Sequence, residues 1–240
     1  MQYVMVVRVD PAVSAARAGG AGGDDVTEWV EEGRSTAIRL EGDPLESPET
    51  ATTVRVREGR TIVSDGPFVE TTEIVVGYDL LEAADLDTAA DYASRHPLAR
   101  VGALEVREVW GDFAGRTAGA PEPRAHSVEY LLLHAPGIDG PVPQDGDPEA
   151  LLPGWIADVE RSGASLGGAR LRDADDATSA TVRRRGGRTI VTRGPFAELA
   201  ERIAGIDRIR VDDLDEAMAL AAAHPTARLG GIEIRALTSL

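Results

Sequence analysis

The chain reads as an α+β protein made of two copies of one fold unit packed sheet to sheet. Three observations predict this. Residues 53–109 align without a gap to residues 181–237, and 28 of the 57 paired positions are identical, far more than composition alone produces; an internal repeat of this kind means a duplicated unit. Each copy orders its elements as strand, helix, hairpin, strand, helix, strand, which makes an antiparallel sheet with helices on one face. The other face would stand bare, and the second copy is the simplest cover for it, as an intramolecular pseudo-dimer.

The elements follow from local pattern. Gln2–Val9 (QYVMVVRV) and Ser127–His134 (SVEYLLLH) are short, β-favouring and apolar, and open the copies as buried strands. Asp24–Glu32 and Pro153–Ser162 are amphipathic, carry Trp29 and Trp155, and stop at Gly33 and Gly163, where glycine suits a helix C-terminus. The two tryptophans are offset by 126 residues and the shared block by 128, so a two-residue indel separates them. Thr52–Arg57 and Arg60–Val63 form a hairpin about Glu58–Gly59, repeated in the second copy about Gly186–Gly187. A strand at Glu73–Leu80, a helix at Leu86–Arg95 and a strand at Ala103–Val109 complete copy one; Glu201–Ile209, Leu214–Ala223 and Gly231–Leu237 are their counterparts. Asp85 is placed to cap the helix, and Leu86, Ala89, Ala90 and Ala93 line its apolar face. Pro97 and Pro225 end the helices and put His96 and His224 at the exits. The domains are then 1–110 and 127–240, joined by a Gly-, Ala- and Pro-rich linker at 111–126.

Composition excludes several chemistries. All 25 basic residues are arginine, so neither a Schiff-base lysine nor a phosphate-loop lysine exists. With no cysteine there are no thiol nucleophiles, disulfides or thiolate metal sites, and a reducing cytoplasm is the expected location. The net charge of -16 opposes phosphate backbones and anionic lipid, so nucleic-acid and membrane partners are not expected. The N-terminus lacks a signal-peptide pattern, and no apolar run reaches the ~20 residues of a membrane span. No HxH or HExxH occurs among the four histidines, no sequence feature requires a cofactor, and no metal ligands are assigned.

The opening QYVMVV strand, the core ATTVRVREGRTIVSDGPFVETTEIVVGYDLLEAADLDTAADYASRHP and the closing GALEVREV strand resemble the YCII-related domain in its DGPF subgroup. The tetrapeptide is Asp65–Phe68; copy two resembles the family less closely and reads Arg-Gly-Pro-Phe at Arg193–Phe196. The resemblance implies a ferredoxin-like (dimeric α/β-barrel-like) α+β domain that pairs through its sheets. It also implies enzymatic proposals centred on a His–Asp pair and an association with extracytoplasmic-function sigma factors.

The candidate catalytic pair is Asp65 with His96: a carboxylate that fixes the imidazole tautomer leaves the other ring nitrogen to exchange a proton with a substrate. Turn capping by Asp65 and a helix-end role for His96 are the structural alternatives. In copy two Arg193 replaces Asp65, which leaves at most one Asp–His site. Glu70, Arg193 and His224 are the weaker ligand-binding candidates. Two functions stay open: a small-molecule enzyme or binder with an Asp–His pocket in the first domain, and a noncatalytic regulatory module of a sigma-factor pathway. The partners expected are a small-molecule ligand, the other half of the chain and, beyond it, a second chain in a homodimer.

Overall fold

A computed structural model describes residues 1–18, 26–67, 73–111, 126–135, 148–173, 175, 177–194 and 203–238. Glu70 and nearly all of the expected linker lie outside the described residues. Copy one contributes β1 (Gln2–Val9), α1 (Pro11–Ala18), α2 (Thr27–Ser35), β2 (Arg39–Pro44), β3 (Thr52–Arg57), β4 (Arg60–Asp65), β5 (Ile74–Glu82), α3 (Leu86–Ser94) and β6 (Gly102–Glu108). Copy two contributes β7 (Val128–Ala135), α4 (Pro148–Ser162), β8 (Ser165–Arg170), β9 (Ser179–Arg185), β10 (Arg188–Arg193), β11 (Gly205–Val211), α5 (Leu214–Ala223), α6 (Thr226–Leu229) and β12 (Gly231–Ala236).

The local signals act as elementary chemistry requires. Asp85 and Asp213 sit in extended backbone and accept hydrogen bonds from the amides of Thr88 (2.8 Å) and Glu216 (2.9 Å), capping α3 and α5. Both hairpins turn through two residues at positive φ, Glu58 (51°) with Gly59 (72°) and Gly186 (57°) with Gly187 (77°). That is the mirror-image turn whose twist matches paired strands. The described residues contain no helix long and apolar enough to cross a membrane.

The two antiparallel sheets run β10-β9-β6-β1-β5-β2 and β4-β3-β12-β7-β11-β8. Each therefore takes four strands from its own copy and a hairpin from the other. Val54 of β3 pairs with Ile232, and Val182 of β9 pairs with Leu104. Both valines are fully buried, and each sits in the core beneath the other copy's helices. Matched arginines fasten the exchange. Arg57 donates to the carbonyls of Ala227, Arg228 and Gly230, while Arg185 donates to those of Ala99, Arg100 and Gly102.

Four layers result, helix, sheet, sheet, helix. One core lies between the first sheet and α2 and α3, another between the second sheet and α4 and α5. The third joins the sheets: Val4, Val6, Tyr78 and Leu80 meet Leu131, Leu133 and Ile206, and each such aliphatic side chain stabilises the pairing by about 1.5–3 kcal/mol. Two buried arginines cross the same boundary in matched fashion, Arg107 donating to Ile203 O (3.2 Å) and Arg235 to Val75 O (3.0 Å).

The face-to-face pairing expected from the bare sheets is thus present, but the barrel-like form is corrected. Each sheet keeps two edge strands, β10 and β2 in one and β4 and β8 in the other. Closing a barrel requires edges to pair along their length. Here, among the described residues, the bridges Leu45–Leu237 and Val109–Leu171 are isolated links at the corners. The fold is two open sheets.

Candidate functional site

In each copy a cavity lies beside the outer edge strand and its neighbouring helices. The first, of about 700 Å³, is lined by Val7, Trp29, Arg39, Asp79 and His96 among others. The second, of about 430 Å³, is lined by His134, Trp155, Ser165, Asp207 and His224. These are equivalent places. Strand register matches Val7–Gly77 with His134–Gly205, Gly42–Asp79 with Gly168–Asp207, and Arg39–Leu81 with Ser165–Ile209.

The scaffolding is the same in both. Trp29 Nε1 donates to Tyr92 O (3.1 Å) and Trp155 Nε1 to Leu220 O (3.0 Å), so the tryptophan of α2 is pinned to α3 and that of α4 to α5. Each indole then meets a histidine edge-on, His96 at 4.6 Å and His224 at 4.4 Å between centroids. The histidines leave their helices before proline, and Nδ1 of each accepts the amide of the residue two on, Leu98 or Thr226, at 3.1 Å. An Nδ1 that accepts a backbone N–H has no proton of its own, so the neutral ring carries its proton on Nε2. A glycine lies opposite each aspartate. A Cβ at Gly42 would fall 2.2 Å from Asp79 Oδ1, and one at Gly168 would fall 1.8 Å from Asp207 Oδ1, so only a bare backbone lets the carboxylate lie against the edge strand.

The chemistry diverges at two positions. In copy one Arg39 takes the aspartate: its Nε donates to Asp79 Oδ1 at 2.7 Å and its Nη2 to Gly42 O at 2.6 Å. Burial pushes the Asp79 carboxyl up, to about 7, against the opposing pull of Arg39. In copy two Ser165 stands at the place of Arg39, and His134 at the place of Val7. His134 Nε2 approaches Asp207 Oδ2 to 2.8 Å and His224 Nε2 lies 3.8 Å from the same oxygen. These three atoms are buried, and none makes an aligned hydrogen bond. Burial, and then the neighbouring His134, push the His224 imidazole down to about 2, which keeps it neutral.

The donor atoms of His134, Asp207 and His224 lie within 4.8 Å of one another, a spacing that suits one metal ion. The tautomer of His224 opposes that use. With Thr226 N–H on Nδ1, the proton sits on Nε2, and a protonated nitrogen cannot ligate. The arrangement is better built for proton exchange and hydrogen bonding than for a cation held by all three.

The residues singled out from the sequence are dispersed. Asp65 ends β4 opposite Thr52, exposed, in the second sheet. It is not among the residues lining the cavity that holds His96; the acids there are Asp43, Glu46, Glu49 and Asp79. Glu70 lies outside the described residues. Arg193, on the exchanged hairpin, pairs with Asp87 of α3 at the surface. His224 lines the second cavity. Sequence reasoning passed over Asp79, Asp207, Arg39 and His134. One signal was available, since an aspartate recurs in the same strand of both copies, two residues after a shared glycine.

The chain is similar to an uncharacterised protein of Rhizobium meliloti (strain 1021), 51% identical over 43 residues, which are 18% of this chain and 35% of that protein. The chain thus spans about a third of the length of that curated relative. The family model for the YCII-related domain matches twice, at residues 1–113 and 147–240. With both copies matched over most of their length, the chain belongs to the YCII-related domain family.

Proposed function

We propose that the protein is a small-molecule enzyme or binder whose working pocket is the second-copy cavity. The observation that carries this reading is the convergence of His134, Asp207 and His224 at the wall of a 430 Å³ cavity, with His134 Nε2 2.8 Å and His224 Nε2 3.8 Å from one carboxylate oxygen. Polar groups that converge at the wall of a concave, otherwise largely apolar cavity mark places where a ligand is oriented. Leu152, Trp155, Ile156 and Leu229 give the cavity apolar walls for the body of such a ligand.

Within this pocket His134 is the proton-exchanging group, its Nε2 2.8 Å from Asp207 Oδ2. His224 is a fixed Nε2–H donor, its tautomer set by Thr226. The acid partner of histidine is then Asp207 in place of Asp65. In copy one Arg39 on Asp79 and Val7 at the histidine position make the matching cavity a degenerate counterpart. The Asp65–Phe68 tetrapeptide supports assigning copy one to the DGPF subgroup.

The test is a fragment screen followed by protein NMR, reading the indole of Trp155 and the ring nitrogens of His134 and His224. Ligands of the pocket shift these resonances, and Ile156→Trp, which fills the mouth, removes the shifts. Hits that perturb only other parts of the molecule overturn the assignment.

A further inference from the structure

Copy one holds an internal guide to the ligand of copy two. Arg39 leaves the edge strand β2, runs buried along the cavity wall and ends with its guanidinium in a three-sided cradle. Asp79 Oδ1 accepts from Nε, Gly42 O accepts from Nη2, and the Trp29 ring lies 5.8 Å from the guanidinium carbon. The side chain is 4% exposed. Planar N–H donors against a carboxylate, a carbonyl and an indole make a recognisable binding arrangement for a guanidinium group.

Copy two keeps every wall of that cradle and lacks its occupant. Asp207 and Gly168 stand at the registers of Asp79 and Gly42, and Trp155 makes the same helix and histidine contacts as Trp29. Ser165 stands at the register of Arg39 and lines the cavity with a side chain too short to reach the carboxylate. Asp207 pairs with histidines through Oδ2 alone. Its Oδ1 lies against Gly168, as the Arg39-bound Oδ1 of Asp79 lies against Gly42. Glu160 and Asp173 add acidic groups to the same cavity; Arg170, also in its lining, turns over the ring of Trp110 at 4.9 Å.

We infer that the second-copy cavity binds the guanidinium or amidinium head of a small cationic molecule, in the position that Arg39 fills in copy one. This rests on the reading of the cavity as a ligand site and names the chemical class of its ligand. Oδ1 of Asp207 and the Gly168 carbonyl take the N–H groups, Trp155 faces the cation, and His134 remains on Oδ2 beside the bound head. A planar cation meets the acidic cavity favourably, whereas a carboxylate or phosphate meets Asp207 as a like charge.

Calorimetry and NMR with methylguanidine and benzamidine test this, with N-methylurea as the neutral analogue. One site per chain is expected, seen as shifts at Trp155 and His134. Asp207→Asn and Ser165→Arg each weaken it at least tenfold, the second because it builds the Arg39 arrangement into copy two. Arg39→Ser opens the matching cradle in copy one, raises the stoichiometry towards two and makes the melting temperature rise with added methylguanidine. The inference is overturned if both cations bind no better than N-methylurea, or if binding survives unchanged in either Asp207→Asn or folded Ser165→Arg. Fragments of other chemistry shifting Trp155 while the cations do not would leave the cavity a ligand site and reject the guanidinium class. Silence at Trp155 and the histidines with every probe would reject both.

Discussion

Replacing Val182 by alanine tests the exchanged hairpins. Val182 belongs to copy two in sequence, yet its fully buried side chain packs beneath the helices of copy one, opposite Leu104. Alanine removes two methyl groups, which at about 0.8 kcal/mol per buried carbon costs ~1.6 kcal/mol. A residual void of roughly 50 Å³ adds about 1 kcal/mol, for a total near 2.5 kcal/mol. At about 2–4 °C per kcal/mol for a chain of this size, the melting temperature falls by ~5–10 °C. The distinguishing assay is amide hydrogen exchange. Protection should fall in β1, β6 and α3 of copy one, and unfolding should remain a single transition because each half completes the other's sheet. Loss of protection confined to residues 128–236, or two separate transitions, would refute the exchange.

Two further outcomes follow from charge. Arg39→Met strands the buried Asp79 carboxyl and should destabilise the chain by about 3–5 kcal/mol, with most of the loss recovered by adding Asp79→Asn; denaturant titration of the single and double variants reads both. Glu129 gives a pH dependence: burial pushes its carboxyl up, but hydrogen bonds from Arg210 and Arg208 outweigh this and leave it below the ordinary value. The folded state therefore binds that proton less readily than the unfolded one. Its contribution is whole above the ordinary glutamate value and is lost as pH falls through the lowered one. Glu129→Gln should lower stability at neutral pH and flatten the acid limb of the stability profile, measured by thermal melts between pH 7 and pH 3.

Much of the fold was legible in the sequence because its signals are local. Asp85 before an apolar helical face, Gly186–Gly187 between β-branched runs, and prolines after His96 and His224 each decide their own few residues. The edge strands β2 and β8 went unread: Arg39–Pro44 and Ser165–Arg170 are rich in glycine and charge, and they become strands by pairing with β5 and β11. Register across β2 and β8 holds the tryptophans' offset of 126 as far as Leu45 and Leu171, which places the indel in the connection that follows. The destination of the hairpins was equally hidden, since nothing local in Thr52–Asp65 distinguishes pairing with β6 from pairing with β12. The site suffered most. Asp207 and His134 meet across neighbouring strands, 73 residues apart in sequence, and their partnership exists only once the register of β7 and β11 is known.

Carrying both copies on one polypeptide has a consequence for how these cavities diverge. In an assembly of identical chains, every substitution appears twice, so an arginine that plugs one cleft plugs its twin. A continuous tandem chain is free of that symmetry. It could acquire Arg39 on one side and His134 on the other, retiring one recess into the scaffold while the other specialises.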